Sequence, residues 1–263
     1  MALSSKGTAL ITGASSGIGA VYADRLARQG YDLILVARSR GRLNALAKHL
    51  SDQTGRSVEV VAADLTNKAD SLRVEQILRN DASITLLVNN AGVGGVMPLL
   101  ASPVDDMEAM VSLNVTALMR LAYAAVPGFV ARGAGTVVNI ASIVAIAPEI
   151  LNGVYGGTKA FVLALSQSMQ HELADKGVRV QAVLPGATAT DFWSEAGNPV
   201  ENLPQEIVMS AEDMVDAALA GLAAGETVTI PGLHDGSQWD RHEAQRKTLS
   251  GLFGNCVAAP RYR

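Results

Sequence analysis

The chain has 263 residues, of which 49% are hydrophobic and 17% are charged. This length is close to the size at which a single hydrophobic core stops growing, so we expect one domain spanning 1–263. The composition is too apolar and too lightly charged for a disordered protein. With 21 basic and 25 acidic residues the formal net charge is -4, and no basic block is present, so nucleic acid is not an expected partner.

Cysteine, histidine and N-terminal patterns restrict the compartment and the chemistry. Cys256 is the only cysteine, so no intrachain disulfide can form, and a reducing compartment is favoured. The N-terminal segment shows no export signal, and apolar stretches are interrupted before the roughly 18 to 20 residues that a membrane span needs. We therefore expect a cytoplasmic protein with no membrane partner. No metal site is expected, because metal-ligand spacing is absent from the four histidines, His49, His171, His234 and His242.

Short runs rich in β-branched residues alternate with helix-length segments. The runs predict seven strands, at 8–12, 33–36, 58–62, 85–89, 136–140, 178–184 and 227–230. The helix patterns cover 17–29, 40–54, 68–80, 103–131, 153–176, 211–223 and 236–249. Because the strands are apolar almost continuously, helices should cover both faces of the sheet. The alternation predicts an α/β fold, a Rossmann-type, doubly wound, seven-stranded parallel sheet flanked by helices in a single domain.

The predicted helix 103–131 carries the clearest start signal. Ser102 precedes Pro103, and Asp105 and Asp106 follow, which predicts an N-cap, an N1 proline and acidic partners for the helix dipole. The helix is apolar around more than one stripe and therefore needs a second partner surface. We expect a subunit interface here, in a homodimer or a homotetramer.

Two segments lie outside the alternation of strands and helices. The irregular stretch 188–210 carries Phe192, Trp193 and Met209, and irregular segments of this length are usually either functional lids or disordered. These apolar residues face either an apolar substrate group or the core. A C-terminal extension covers 232–263, and the sequence assigns no role to it.

The first strand leads directly into the sequence TGASSGIG, residues 12–19, and a helix pattern follows. Glycines at such a junction let the backbone turn tightly and approach a pyrophosphate, whose charge then faces the helix N-terminus. The spacing of Gly13, Gly17 and Gly19 differs from the common G-x-G-x-x-G fingerprint, and glycines that serve packing alone are the alternative interpretation.

The end of the second strand indicates which dinucleotide binds. An acidic residue there would hydrogen-bond a free ribose 2′-hydroxyl, whereas an arginine accommodates a 2′-phosphate. The acid is absent and Arg38 is present, with Arg40 and Arg42 nearby. NADP(H) is therefore favoured. NAD(H) stays open as the alternative cofactor, since these arginines can equally be a solvated helix start.

Five motifs, in this order and at these intervals, resemble the short-chain dehydrogenase/reductase family from Thr8 to about Ile230: TGASSGIG, Asn89-Asn90-Ala91-Gly92, Ser142, Tyr155-x-x-x-Lys159 and Pro185-Gly186. The resemblance implies hydride transfer between NADP(H) and a small-molecule carbonyl or secondary alcohol, with Tyr155 as general acid or base. It implies that Ser142 holds the substrate oxygen and that Lys159 holds the nicotinamide ribose. Asn114 would place a water that returns the proton.

The resemblance also implies a cofactor-binding set. Asp64 would contact the adenine, Asn90 the ribose and Thr190 the carboxamide, with Thr188 as the alternative hydroxyl. The full set consists of Gly13, Ser15, Ser16, Gly17, Ile18, Gly19, Arg38, Asp64, Leu65, Asn90, Ala91, Gly92, Tyr155, Lys159, Pro185, Gly186, Thr188 and Thr190.

The spacing of Tyr155 and Lys159 also indicates their chemistry without reference to a family. Residues i and i+4 share one helix face, so the ammonium can lie beside the phenol. About 4 kcal/mol of attraction at an effective dielectric of 20 would lower the tyrosine pKa from its ordinary value near 10 to roughly 7. A general acid or base works best with a pKa near neutral pH.

Two features depart from the family pattern. Gly156 and Gly157 stand where small helix formers are usual, and they leave room for either a bulky substrate or a close helix neighbour. Ser16 stands where some NADP-dependent relatives have a basic residue, so Arg38 would make most of the contact with the 2′-phosphate.

Two other functions are weighed against the reductase. A sugar-nucleotide epimerase would use TGxxGxxG and a larger C-terminal domain, and the glycine spacing and the chain length both argue against it. A non-catalytic NADP(H)-sensing regulator would lack the active site, whereas Asn114, Ser142, Tyr155 and Lys159 form a complete set.

Overall fold

The computed structural model describes residues 6–263, so residues 1–5 of the predicted domain lie outside the described residues. The chain forms two compact units that divide in sequence between Pro231 and Gly232. The first unit contains the sheet and the helices around it. The second consists of the helix Ser237–Ser250 and the segment that continues from it to Arg263.

The sheet has seven parallel strands in the order β3-β2-β1-β4-β5-β6-β7. Their bounds are β1 Thr8–Thr12, β2 Asp32–Ala37, β3 Val58–Ala62, β4 Ile84–Asn89, β5 Gly135–Ile140, β6 Val178–Val183 and β7 Val228–Thr229. The strand order reverses between β1 and β4, and ligands of doubly wound folds bind beyond the carboxyl ends of the strands at such a point. The predicted Rossmann-type fold is confirmed.

The helices are α1 Gly17–Arg28, α2 Arg40–Thr54, α3 Lys68–Asn80, α4 Val104–Val111, α5 Leu118–Arg132, α6 Gly153–Leu173, α7 Phe192–Glu195, α8 Ala211–Ala224 and α9 Ser237–Ser250. The predicted end of α6 at residue 176 is corrected to Leu173. Gly177, with φ of 70° in the left-handed region, forms the turn into β6. The short α7 lies within the stretch predicted to be irregular.

The core lies on both faces of the sheet, as the continuously apolar strands predict. Ala9 and Ile11 of β1 pack in a cluster with α1, α2 and α8, whereas Leu10 between them packs with α3, α5 and α6. All three side chains are fully buried. Alternate side chains of each strand therefore anchor opposite helix layers, which holds the carboxyl ends of the strands in fixed positions.

The helical run from α4 to α5 differs from its prediction in two ways. It contains a turn of π-helix at Ser112–Ala117, which no feature of the sequence indicates. The predicted N-cap is wrong: α4 begins at Val104, Pro103 occupies the N-cap position, and the Ser102 hydroxyl donates to the carbonyls of Met97 (3.1 Å) and Pro98 (3.0 Å). The acidic first turn, Asp105 and Asp106, is present.

The same run, Val104–Arg132, is long and apolar enough by length and composition alone to cross a membrane. The expectation that every apolar stretch is too short to span a membrane is therefore wrong for this run. Its α5 packs against α3, β4 and β5, and Leu121, Ala125 and Phe129 are buried in the core cluster on that face of the sheet. Core helices of soluble proteins share this composition.

Tyr22 of α1 places a polar hydroxyl group inside the hydrophobic core. Its ring is fully buried, and its hydroxyl has no hydrogen-bond partner among residues 6–263. Burial raises the pKa of this phenol above its ordinary value, so it stays neutral. We expect Tyr22→Phe to keep the packing and to stabilise the protein by about 1 kcal/mol, because a buried unsatisfied polar group is removed. Denaturant unfolding measures this, and a loss of more than about 1 kcal/mol would show that the hydroxyl is satisfied.

Candidate active site

A cleft of about 900 Å³ lies at the carboxyl edge of the sheet, where β1, β4, β5 and β6 end. It is lined by every residue of the predicted catalytic and cofactor sets except Gly19 and Asn114. Both exceptions lie just behind the surface of the cleft and shape it. Among residues 6–263, no group of three or more His, Cys, Asp or Glu side chains is placed to hold a metal ion.

The glycine-rich turn after β1 borders the centre of the cleft. Gly13 and Gly17 have φ values of 66° and 52°, which side chains rarely adopt. A Cβ atom at Gly13 would lie 2.7 Å from Asn90 Nδ2, and one at Gly19 would overlap the Gly13 carbonyl oxygen. Ser16 precedes α1 without a side-chain cap, and the first turn holds no acidic residue. The N–H groups of this helix end are therefore available to an anion.

Thr12 and Asn90 fasten this turn to the segment after β4. The Thr12 hydroxyl accepts from the backbone N–H groups of Asn90 and Ala91, each at 3.0 Å. The Asn90 amide donates to the carbonyls of Thr12 (2.9 Å) and Gly13 (3.2 Å). Sequence reasoning quoted Thr12 within its motif but assigned it no role. The two loops that border the centre of the cleft therefore form one hydrogen-bonded unit.

The far end of the cleft lies at the ends of β2 and β3. Arg38 and Arg42 are exposed and both line it, together with Ser39, whereas Arg40 does not. Asp64 lines the cleft as well. One of its carboxylate oxygens accepts from the hydroxyl (2.7 Å) and the N–H (2.9 Å) of Thr66, and these bonds hold the pKa of Asp64 below its ordinary value.

Tyr155 and Lys159 share one face of α6, whose start is fixed by Asn152. The Asn152 side chain accepts from the N–H groups of Val154 (2.8 Å) and Tyr155 (3.3 Å). The Tyr155 side chain is only 6% exposed, so its ring is held rigidly. Lys159 Nζ lies 5.8 Å from the centroid of this ring and donates to the Ile140 carbonyl at 2.9 Å.

Ser142 follows β5 and faces the same part of the cleft. Its hydroxyl accepts from Val144 N–H and is within 3.4 Å of the Pro185 carbonyl, to which it donates. This bond from Val144 N–H makes Ser142 the N-cap of the short 3-10 helix Ile143–Ala145. The hydroxyl oxygen is thus held in place by the backbones of two loops.

The expectation that Lys159 lowers the Tyr155 pKa to near neutral is wrong for the protein alone. Burial raises the pKa of Tyr155 to about 12, and the hydrogen bond with Ser142 only partly opposes this. Burial also lowers the pKa of Lys159 to about 8. Removal of both groups from water therefore outweighs their mutual attraction, and the phenol stays protonated at neutral pH.

Asn114 lies in the π-helical turn between α4 and α5, behind Gly92. Its side chain accepts from Val93 N–H (2.9 Å) and donates to the Val93 carbonyl (2.8 Å) and the Thr158 hydroxyl (3.2 Å). A Cβ atom at Gly92 would lie 3.1 Å from Asn114 Oδ1 and 3.6 Å from Lys159 Nζ. Asn114 therefore links the segment after β4 to α6. Single π turns are frequent at functional sites.

Apolar side chains surround Tyr155, so the part of the cleft that contains its ring is apolar. The buried members of this cluster are Met110, Val144 and Tyr155, and the partly buried members are Val93, Met107, Leu151, Val154 and Phe192. Sequence reasoning found only Phe192 and Tyr155 among them. The others come from the segment after β4, from α4, from the turn after β5 and from around the start of α6, and their approach depends on the fold.

The segment 188–210 is tied at both ends. Ala189 N–H donates to the Met209 carbonyl (2.8 Å), and Met209 N–H donates to the Ala187 carbonyl (2.9 Å). Met209 packs against the core cluster of α1 and α8, so of the two interpretations the core-facing one applies to it. Phe192 instead faces Tyr155, with ring centroids 5.8 Å apart. Thr188 and Thr190 both line the cleft, so the choice between their hydroxyls stays open.

The two unusual glycines of α6 have different surroundings. A Cβ atom at Gly156 would lie 3.1 Å from Pro148 Cβ, whereas one at Gly157 would meet nothing within 4 Å. Neither glycine lines the cleft. Gly156 therefore makes room for a close neighbour in the preceding turn, Pro148–Ile150, rather than for a substrate.

Comparison with known proteins agrees with this geometry. The family model for short chain dehydrogenases matches residues 7–200. Serine 3-dehydrogenase from Rhizobium radiobacter is 37% identical over 188 residues, which cover 71% of this chain and 74% of that relative.

Two solved structures resemble the whole fold. A short-chain dehydrogenase from Sphingobium yanoikuyae in complex with NADPH has a TM-score of 0.95 and 50% identity, covering 98% of this chain and 100% of that one. The bulky-bulky ketone specific alcohol dehydrogenase from Comamonas testosteroni has a TM-score of 0.90 and 44% identity, covering 100% of this chain and 99% of that one. With its five motifs, its sheet order and these matches, the chain belongs to the short-chain dehydrogenase/reductase family of oxidoreductases.

Proposed function

We propose that the protein is an NADP(H)-dependent reductase of apolar ketones, with Tyr155 as the general acid. The observation that carries the proposal is the buried, protonated phenol of Tyr155 beside the Ser142 hydroxyl in an apolar cluster. The names of two relatives add support, since one binds NADPH and the other is specific for bulky ketones.

The cleft residues fit the dinucleotide along its length. The Gly13 and Gly17 turn and the open end of α1 would receive the pyrophosphate, and Asp64 and Leu65 would border the adenine. Asn90, Ala91, Gly92 and the Pro185–Gly186 turn would border the nicotinamide half, with Thr188 or Thr190 near its carboxamide. When bound, NADPH supplies the hydride for the carbonyl carbon.

The chain's own residues would manage the proton. The Ser142 hydroxyl would give up its 3.4 Å bond to the Pro185 carbonyl and donate to the carbonyl oxygen of the substrate instead, which fixes the position of that oxygen. Tyr155 transfers its hydroxyl proton to that oxygen as the alcohol forms, and Lys159 stabilises the resulting phenolate. Lys159 also holds the nicotinamide ribose. Through its bonds to Val93 and Thr158, Asn114 holds the segment that closes the cleft beside Lys159, and a water next to it would return the proton.

The protonation state of Tyr155 matches the state from which ketone reduction starts. The pKa of Tyr155 is raised to about 12, so the protein alone carries the proton that reduction consumes. An oxidation would need the phenolate as its starting form. A regulator without catalysis and a sugar-nucleotide epimerase gain no support from the cleft or from the relatives.

The proposal extends to the compartment, the oligomeric state and the substrate class of the enzyme. We place it in the cytoplasm, as a homodimer or homotetramer that acts on a small-molecule substrate. The helical run α4 to α5 would supply the subunit interface, because Val104, Val111 and Tyr123 on it are exposed.

Cofactor choice is tested at the end of β2. Arg38 and Arg42 line this end of the cleft and would border a 2′-phosphate, where a charge-assisted pair is worth about 1.5 to 3 kcal/mol. We expect the wild type to prefer NADPH over NADH roughly tenfold to a hundredfold in kcat/KM. Ala37→Asp together with Arg38→Ala should reverse the preference, because the new carboxylate accepts hydrogen bonds from free ribose hydroxyls and repels a phosphate.

Steady-state kinetics with both cofactors checks this expectation, and Arg40→Ala is the matched control, since Arg40 lies outside the cleft. Equal use of NADH and NADPH by the wild type would mean that NAD(H) is an equal cofactor. An unchanged preference for NADPH in the double variant would mean that residues other than Ala37 and Arg38 make the selection.

A further inference from the structure

The Phe192 side chain extends from α7 into the part of the cleft that holds Tyr155. The two ring centroids are 5.8 Å apart and the rings are inclined at 47°. Phe192 also packs against the apolar cluster of Met110, Val144 and Tyr155. Its ring is therefore part of the wall that a carbonyl substituent would meet at the proposed proton donor.

Gly94 provides the surface on which this ring rests. A Cβ atom at Gly94 would overlap Cζ of Phe192 and lie 2.7 Å from its Cε2 atom. The backbone of Gly94 is not in the left-handed region, so its conformation does not require glycine. The close approach of the Phe192 ring is what excludes a larger residue.

Trp193 limits where the ring of Phe192 can go. It is buried, its indole N–H donates to the Thr188 carbonyl at 3.0 Å, and its ring meets Phe192 edge-on at 5.7 Å. Both ends of the segment are tied through Met209. If the Phe192 ring is displaced from Gly94, it can therefore move only into the space beside Tyr155.

We infer that Phe192 and Gly94 form a specificity-determining pair that limits the size of the apolar ketone substituent accepted beside Tyr155. The inference rests on the proposed function for the identity of the substrate, but the packing argument does not depend on catalysis. Ketones with one small substituent fit beside the ring, whereas those with two bulky apolar substituents compete with it for the same space.

The kinetic test compares acetophenone with phenyl pentyl ketone, both reduced with NADPH. Relative to wild type, Phe192→Ala should raise the ratio of kcat/KM for the larger over the smaller ketone about tenfold or more, because the wall is removed. Gly94→Ala should lower the ratio about tenfold, because the ring moves toward Tyr155. Gly157→Ala is the control, since its new Cβ would meet nothing within 4 Å.

The double variant gives the sharpest result. In the Phe192→Ala background no ring is left for the added methyl group to displace, so Gly94→Ala should change the ratio by less than about threefold. If Gly94→Ala alone fails to fold, recovery of folding in the double variant supports the same pair. Additive effects of the two substitutions, or a ratio in Phe192→Ala within about threefold of wild type, would overturn the inference.

A binding measurement separates this inference from the proposed function. The chain has two tryptophans, so Trp239→Phe leaves Trp193 as the fluorescent reporter beside Phe192. Both ketones are titrated with and without NADP⁺, and Phe192→Ala should bind phenyl pentyl ketone about tenfold more tightly relative to acetophenone than wild type does. Without NADPH oxidation by wild type, the reductase proposal fails while this titration still decides the inference. A ratio of the two dissociation constants in Phe192→Ala that lies within about threefold of the wild-type ratio would overturn it.

Discussion

Tyr155→Phe should lower kcat/KM for ketone reduction roughly a hundredfold to ten-thousandfold, the usual contribution of a positioned general acid. The ring would still pack against Phe192 and the apolar cluster, so the fold and NADPH binding should stay nearly unchanged. Only the proton donor is lost. Steady-state kinetics and NADPH binding on the same preparation measure the two quantities separately.

Tyr22→Phe is the matched control for this substitution. It removes a buried phenolic hydroxyl from the core beside α2 and α8, and Tyr22 does not line the cleft. Its kcat/KM should equal that of wild type. Turnover of Tyr155→Phe within about threefold of wild type would mean that another group delivers the proton.

Lys159→Met should abolish most turnover, weaken NADPH binding and yet stabilise the protein near pH 7. Burial lowers the pKa of Lys159 from 10.5 to about 8, so the charged form is disfavoured in the native protein. The unfolded chain then binds this proton more tightly, which opposes folding below pH 8. After the loss of the hydrogen bond to Ile140 is subtracted, we expect a net gain of about 2 kcal/mol for methionine.

The stability difference between wild type and Lys159→Met should depend on pH. As pH rises from about 8 toward 10.5, the native protein has lost the proton while the unfolded chain still holds it, so the wild type gains stability that the methionine variant cannot gain. The difference between the two proteins should therefore shrink with rising pH. Denaturant unfolding at several pH values measures it, with the exposed Lys48→Met as control. A methionine variant less stable than wild type at neutral pH, or a difference independent of pH, would contradict this account.

The sheet was predictable because each strand carries its own signal. A run such as Leu33 to Val36 is apolar at every position, which is typical of a strand covered on both faces, and the helix patterns between the strands then require parallel crossovers. Ser142, Arg38 and the glycine-rich turn each follow the end of a predicted parallel strand, so they were expected at the carboxyl edge of the sheet. The positions of these site residues therefore follow from topology alone.

Features that depend on packing between distant segments were not predictable. The π turn that carries Asn114 and the rest position of Phe192 on Gly94 have no local pattern. The pKa of Tyr155 depends on how completely the fold removes its hydroxyl from water, so reasoning from its spacing to Lys159 gave the wrong direction. Ser102 carried a helix-start signal, but its hydroxyl bonds backward to Met97 and Pro98 instead.

The reaction proposed for this cleft is the transfer of a hydride from NADPH to an apolar ketone. The most direct measurement follows the loss of NADPH absorbance with wild-type protein and aryl ketones, together with the amount of alcohol formed. We expect one alcohol per NADPH consumed, with the rate lowered roughly a hundredfold or more in Tyr155→Phe and retained in Tyr22→Phe. A wild type that binds NADPH but reduces no ketone, or NADPH loss without a matching amount of alcohol, would contradict the account.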